Sequence, residues 1–212
     1  MLEKIRYLVI EGPIGVGKTS LAERLAAHLR AELMLEAPDA NPFLDRFYRD
    51  GARYAFQTQL FFLFQRINQL RELGQRDLFA DLFVADFLLE KDALFASLTL
   101  SDDELNLYRQ IYASLAPQAP VPDLVVYLDA RPEVLLERIA TRGRAMEASI
   151  SESYLRQLCE AYTRFFYRYD AAPLLTVNTE HLDLAHNDAD FALLLGRIEQ
   201  MRGRRESFNR AG

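Results

Sequence analysis

A three-layer α/β fold with a five-stranded parallel sheet is the architecture this sequence predicts, and two observations carry the prediction. Short β-rich apolar runs alternate with longer stretches of helical periodicity, the signature of parallel strands joined by crossover helices. A glycine-rich segment also sits at the first junction between run and helix. The strands are expected at residues 7–10, 32–35, 82–84, 123–128 and 174–177. Residues 18–30 form the first expected helix, with Leu21, Leu25 and Leu29 in one stripe toward the sheet. Residues 52–73 form a longer one, carrying Phe56, Leu60, Leu63, Ile67 and Leu70 at helical spacing, a face suited to the core or to an interface. Ser101 and Glu104 have the capping-box spacing and start a helix bearing Leu105, Leu107 and Ile111, which the Pro-rich stretch 117–122 ends. Pro132 opens a helix that runs through Arg138 to the neighbourhood of Gly143, Ser151 caps another over 152–169, and a last helix covers 190–202. The polar tail 203–212 is expected to fray, and no linker or repeat divides residues 1–202, which read as one domain with a lid at about 138–150.

Composition narrows the function classes. The 212 residues are 50% hydrophobic and 26% charged, and 25 Lys+Arg against 31 Asp+Glu leave a net charge of −6, an unpromising balance for a nucleic-acid binder. The single cysteine, Cys159, excludes an internal disulfide, and no Cys/His cluster offers a zinc site. The N-terminal run beside Glu3, Lys4 and Arg6 is too short for a leader or a spanning helix, so a soluble cytoplasmic protein without membrane contacts is expected.

The most specific signal is Gly12, Pro13, Ile14, Gly15, Val16, Gly17, Lys18 and Thr19, followed by Ser20, which fits G-x-x-x-x-G-K-[ST] after a strand and at the start of a helix. Such a loop turns backbone N–H groups onto phosphates. Lys18 then reaches the outer phosphates, and the Thr19 hydroxyl is a ligand for Mg²⁺. ATP and Mg²⁺ are the implied cofactors. The chain lacks an Asn-Lys-x-Asp guanine-reading tetrapeptide, and its size with one cradle suits a small-molecule kinase.

Further residues suggest what accepts the phosphate. Glu36 follows the second strand, at the sheet edge where ligands gather in open α/β folds. Gln59 and Arg66 are seven residues apart, two helical turns, and so face one side of the long helix. Arg138 and Arg142 are four apart, with Arg144 just beyond Gly143, which reads as an anion-facing lid. Each has a plainer reading: an exposed loop acid, an internal salt bridge, a solvated basic helix end.

Glu11 to Ser20, Asn41-Pro-Phe-Leu with Phe47, Tyr48, Gln59 and Arg66, Asp86 with Asp92, and Arg138, Arg142, Gly143, Arg144 and Glu147 together resemble the deoxyribonucleoside kinases, most closely the bacterial deoxyadenosine/deoxyguanosine enzymes. The resemblance spans most of the chain. It implies a phosphate-binding-loop kinase fold, a homodimer, and ATP-dependent phosphorylation of the 5′-hydroxyl of a purine deoxynucleoside. In that light Glu36 accepts the hydroxyl proton, Gln59 reads the base, and Arg66 pairs with Asp92 beside it, which favours purines or deoxycytidine over thymidine. Tyr48 and Glu147 match positions that hold the sugar 3′-hydroxyl, although Tyr48 also suits plain core packing. Arg138 and Arg142 close on ATP, and Arg142 and Arg144 bring charge to the transferred phosphoryl. A thymidylate-type nucleoside monophosphate kinase and a non-catalytic nucleotide-sensing module are the competing readings.

One departure stands out. The family follows its third strand with an acid, then Arg, then Ser or His, whereas this chain has Asp86, Phe87 and Leu88. Asp86 keeps its capacity to serve Mg²⁺, directly or through water. Phe87 carries no charge, so another cation, with Arg142, Arg144 and Lys91 as candidates, fills the role, or the chain binds nucleotides without turning them over. The chain also has no Trp, and Phe43 or Phe47 is the candidate packing surface for the sugar.

Overall fold

The five expected apolar runs pair in parallel as β1 (Tyr7–Glu11), β2 (Glu32–Met34), β3 (Phe83–Ala85), β4 (Leu124–Asp129) and β5 (Leu174–Asn178). The computed structural model describes residues 5–75, 82–115 and 119–210. Glu3, Lys4, breaker residues 117 and 118 and the last two tail residues lie outside them.

The sheet has six strands, not five. Arg205–Phe208, in the tail expected to fray, forms β6 and pairs in parallel with β5, giving the order β2-β3-β1-β4-β5-β6. Its polar sequence hid it because an edge strand needs only backbone pairing and one partly buried face. Side chains tie it down as well: the Arg205 guanidinium donates to the Phe166 and Tyr169 carbonyls, and Arg210 pairs with buried Asp190.

Eight helices are described: α1 (Lys18–Leu29), α2 (Leu44–Arg49), α3 (Gly51–Gln75), α4 (Lys91–Thr99), α5 (Asp102–Leu115), α6 (Pro132–Arg142), α7 (Glu152–Arg168) and α8 (Asp188–Gln200). Of these, α2 and α4 went unread in the sequence; both are short, and neither shows a cap hydrogen bond from a side chain. The expected caps are present. Ser151 accepts from the Tyr154 amide, Gly143 ends α6 at φ +65°, and the Glu104 carboxylate takes both the Ser101 amide and its hydroxyl. Asn187, an unexpected cap, accepts from the Ala189 and Asp190 amides and starts α8 two residues early.

Fully buried Leu8, Val9 and Ile10 of β1, with Val125 and Val126 of β4, form the centre of the core, and the apolar side of α7 (Leu155, Leu158, Tyr162, Phe166) joins the same cluster. Sheet order is what positions the site. The β1–α1–β2 connection runs to one side of β1 while β4 to β6 add on the other, so a crevice opens at the carboxyl edge beside β1, the usual ligand position in such sheets.

Candidate active site

From Glu11 the chain turns through residues 12–17 into α1. A Cβ on Gly12 (φ +153°) would lie 2.3 Å from the Leu128 carbonyl oxygen of β4, and one on Gly15 (φ +85°) 2.8 Å from Cγ1 of Ile139 in α6. Only glycine lets the loop lie this close to both elements. Lys18 folds back over the loop, its Nζ donating to the Gly12 carbonyl at 2.7 Å and the Pro13 carbonyl at 3.1 Å. Burial lowers its pKa, and the charge of Lys91 adds to that while Glu11 opposes it. Thr19 donates its hydroxyl to Asp86 Oδ2 at 2.6 Å, while Asp86 Oδ1 accepts from the Glu36 amide at 2.7 Å. Asp86 therefore joins the loop to the end of β2. Burial pushes its carboxyl up, against the pull of those two hydrogen bonds.

Two cavities meet at this loop. An inner cleft of about 360 Å³ is lined by Lys18, Thr19, Glu36, Tyr48, Gln59, Arg66, Asp86, Lys91, Arg142, Arg144 and Glu147, with Phe47, Phe62 and Tyr154 as aromatic walls. An outer cavity of about 900 Å³ is lined by Val16, Gly17, Ser20, Arg138, Arg142 and the segment 179–187. Gly15 and Arg142 border both. Of the two candidate phenylalanines, Phe47 lines the inner cleft and Phe43 does not.

A chain of buried charges of alternating sign crosses the inner cleft. Glu11, fully buried at the end of β1, accepts from the Gly12 amide (2.8 Å), the Tyr162 hydroxyl (3.0 Å) and the Leu88 amide (2.8 Å). Lys91 Nζ lies 3.4 Å from Glu11 Oε2 and 3.4 Å from Glu36 Oε1. Arg66 donates from Nε to Glu36 Oε1 at 2.7 Å, pairs with the same oxygen through a second nitrogen, and places its third nitrogen on Asp92. The order is Glu11, Lys91, Glu36, Arg66, Asp92. Burial alone would raise the Glu36 carboxyl, but Arg66, Lys91 and Lys18 outweigh it and hold it at about 2. Among the described residues, each hydrogen bond and ion pair of that carboxylate falls on Oε1, none on Oε2. Asp92, in the first turn of α4, is fully buried and meets the cleft through Arg66 rather than as part of its wall.

Gln59 and Arg66 face the cleft together, as their spacing predicts; among the described residues the Gln59 amide nitrogen makes only a long 3.4 Å contact with Thr99. The residues expected to form a lid divide. Arg142 donates to Glu147 from Nε at 3.1 Å and from a terminal nitrogen at 2.6 Å, and Arg144 lies 3.9 Å from the same carboxylate, over the inner cleft. Arg138 instead turns to the outer cavity, donating to the Thr179 hydroxyl (2.9 Å) and carbonyl (2.6 Å). Tyr48, on α2, lines the cleft, and burial raises its hydroxyl well above the usual range.

Sequence reasoning assigned no role to Glu11 or Tyr162. An acid closing an otherwise apolar buried strand was the signal for the first; Tyr162 sits in the helical stripe of α7 and gave none.

Comparison with known proteins supplies the family. A model of the deoxynucleoside kinases matches residues 8–201. The chain belongs to the deoxynucleoside kinase family. Among relatives within that family, deoxyguanosine kinase of Bacillus subtilis (strain 168) is 34% identical over 200 residues, covering 92% of this chain and 97% of its own. Deoxyadenosine kinase of Dictyostelium discoideum is 33% identical over 180 residues, covering 81% of this chain and 71% of its own. In fold the chain is similar to a deoxyadenosine kinase from M. mycoides solved with dCMP and dCDP bound, with a TM-score of 0.81, 24% identity, and coverage of 92% of this chain and all of that one. No described helix is long and apolar enough to cross a membrane.

Proposed function

We propose that this chain transfers the γ-phosphoryl group of ATP to the 5′-hydroxyl of a purine deoxynucleoside, deoxyadenosine or deoxyguanosine, as a cytoplasmic nucleotide-salvage enzyme. The observation that carries this reading is the junction of the two cavities: an inner cleft with Glu36, Gln59 and Arg66 opens onto the phosphate loop at Gly15 and Arg142, where the outer cavity begins. The named activities of the relatives agree with it.

In this reading ATP lies across the loop with its nucleoside in the outer cavity beside Arg138, and its γ-phosphate reaches the inner cleft past Lys18. The deoxynucleoside stacks on the aromatic wall, presents its base to Gln59 and Arg66, and sets its sugar near Tyr48 and Glu147. Its 5′-oxygen forms a bond to the γ-phosphorus as the bond from that phosphorus to the bridging oxygen breaks. The electron pair leaves on ADP, and the proton passes to Glu36 Oε2. Phosphoryl transfer asks its base mainly to orient the nucleophile, so a carboxylate held ionised near pKa 2 suits the task. Lys18, Arg142 and Arg144 meet the charge on the transferred group.

Thr19 and Asp86 fit a magnesium ion. Mg²⁺ at such sites takes one or two protein oxygens, with substrate phosphates and water completing the shell, and this pair supplies a hydroxyl and a carboxylate 2.6 Å apart beside the loop. The ion neutralises phosphate charge when bound. A homodimer forms through α3, whose Phe64 remains 47% exposed, and α5, packed against it, where Leu107 is 48% exposed.

Turnover of the four deoxynucleosides and of deoxythymidine monophosphate, each with ATP, tests the reading. Formation of dAMP or dGMP faster than any other product is expected. Preference for the monophosphate, or ATP binding without any product, would reject it.

A further inference from the structure

Phe87 leaves open which group supplies the positive charge that the resembling pattern carries at this position. The structure shows that Phe87 cannot act from where it stands: it is fully buried within the hydrophobic core and does not line the cleft. Five cations do line it. Lys18 serves the loop, and Arg66 is divided between Glu36 and Asp92. Arg142 and Arg144 are 38% and 42% exposed and share Glu147. Lys91 alone is both buried, at 3% side-chain exposure, and seated between the loop's anchor and the candidate base.

Lys91 is also a costly choice of residue. It is the first residue of α4, so its ammonium sits at the positive end of a helix dipole as well as out of water. Glu11 and Glu36, one on each side, offset both costs. Glu11 is itself held by three hydrogen bonds, so one end of this bridge is rigid.

We propose that Lys91 is a positioning residue for phosphoryl transfer: a charged strut from Glu11 that pins Glu36 by Oε1 and leaves Oε2 aimed at the acceptor hydroxyl, replacing from α4 the charge that Phe87 lacks. This rests on the kinase reading above. Arg66 also holds Glu36, but its guanidinium is shared with Asp92, whereas among the described residues the ion pairs of Lys91 run to Glu11 and Glu36.

The test is steady-state turnover of deoxyadenosine and deoxyguanosine by the parent, Lys91→Met, Lys91→Arg, Glu36→Gln and the double variant, with ATP affinity and thermal midpoint measured for each. Loss of aim by about 1 Å costs on the order of 10²-fold in rate. Lys91→Met is expected to lose about that much kcat while its Kd for ATP stays within threefold. Lys91→Arg is expected to recover at least a tenth of parental kcat. Because Lys91 works through Glu36, the double variant is expected to be no slower than Glu36→Gln alone. Lys91→Gln, which keeps a donor without the charge, replaces Lys91→Met if that variant does not fold.

A kcat within threefold of the parent in the uncharged variant, multiplying losses in the double variant, or equal loss of ATP binding and turnover with no recovery in Lys91→Arg would each overturn the inference and leave the kinase reading intact. A parent chain that phosphorylates neither nucleoside would overturn both.

Discussion

Two arrangements of arginine and carboxylate face each other across the inner cleft, and they are built differently. On the sheet side, Arg66 is buried between Glu36 and Asp92, within a chain of charges that continues through Lys91 to Glu11. On the lid side, Arg142 and Arg144 share Glu147 from half-exposed positions at the end of α6. The buried set is fixed before any ligand arrives, because breaking one partner strands another charge out of water. Glu147 itself is buried, but its two arginines reach it from water, which screens their side of the pair, so the lid set holds its arginines less firmly than Asp92 and Glu36 hold Arg66. In the proposed reading, one side reads and orients the acceptor and the other closes over the phosphates.

Substitutions that strike one side at a time sharpen this contrast. The largest effect is expected from Glu36→Gln, which keeps the shape of the site but removes its proton acceptor and should lower kcat by ~10²–10⁴ at nearly unchanged ATP affinity. Unaltered turnover would remove Glu36 from the mechanism. Arg66→Met should follow: it leaves Asp92 buried and unpaired and is expected to cost about 3–5 kcal/mol in urea unfolding. Arg142→Ala is the counterpart on the lid. Its kcat should fall by up to about 10²-fold, through loss of a donor to the transferred phosphoryl, with a smaller stability loss than in Arg66→Met, because water reaches the arginine side of the pair and Arg144 stays beside Glu147. Equal destabilisation by the two arginine variants would erase the distinction.

The smallest effect is expected with pH. Glu36 titrates at about 2 in the folded chain against 4.5 when free. A depressed carboxyl adds stability above the free value, and that stability is lost as pH falls toward the folded one. The difference in thermal midpoint between the parent and Glu36→Gln should therefore be full above pH 4.5 and close as pH falls to about 2.

The contrast also shows what the sequence made legible. The phosphate loop, Pro132, Gly143 and Ser151 act through local rules of turn and cap, and their elements lie within a residue or two of expectation. The Gln59 and Arg66 pair was legible for the same reason, since helical spacing alone puts both on one face. What escaped was long-range. Lys91 gains its meaning from Glu11, eighty positions earlier in the chain, and from Glu36, and neither pairing leaves a trace in local pattern. Arg66 was expected to pair with Asp92 and does, but its grip on Glu36 depends on how β2 and α3 meet. The sixth strand was missed because β6 is fastened by backbone pairing and by Arg205 on the end of α7, contacts that no polar tail announces.

In the proposed reading a triphosphate site and a deoxynucleoside site open into each other beside Lys18. A single molecule that joins adenosine and deoxyadenosine through a 5′,5′-polyphosphate bridge measures this directly by titration calorimetry. One molecule is expected to bind per chain, far more tightly than ATP or deoxyadenosine, and to be displaced only when both are added together. Binding no tighter than that of ATP, with deoxyadenosine still able to bind beside it, would mean that the two sites do not connect.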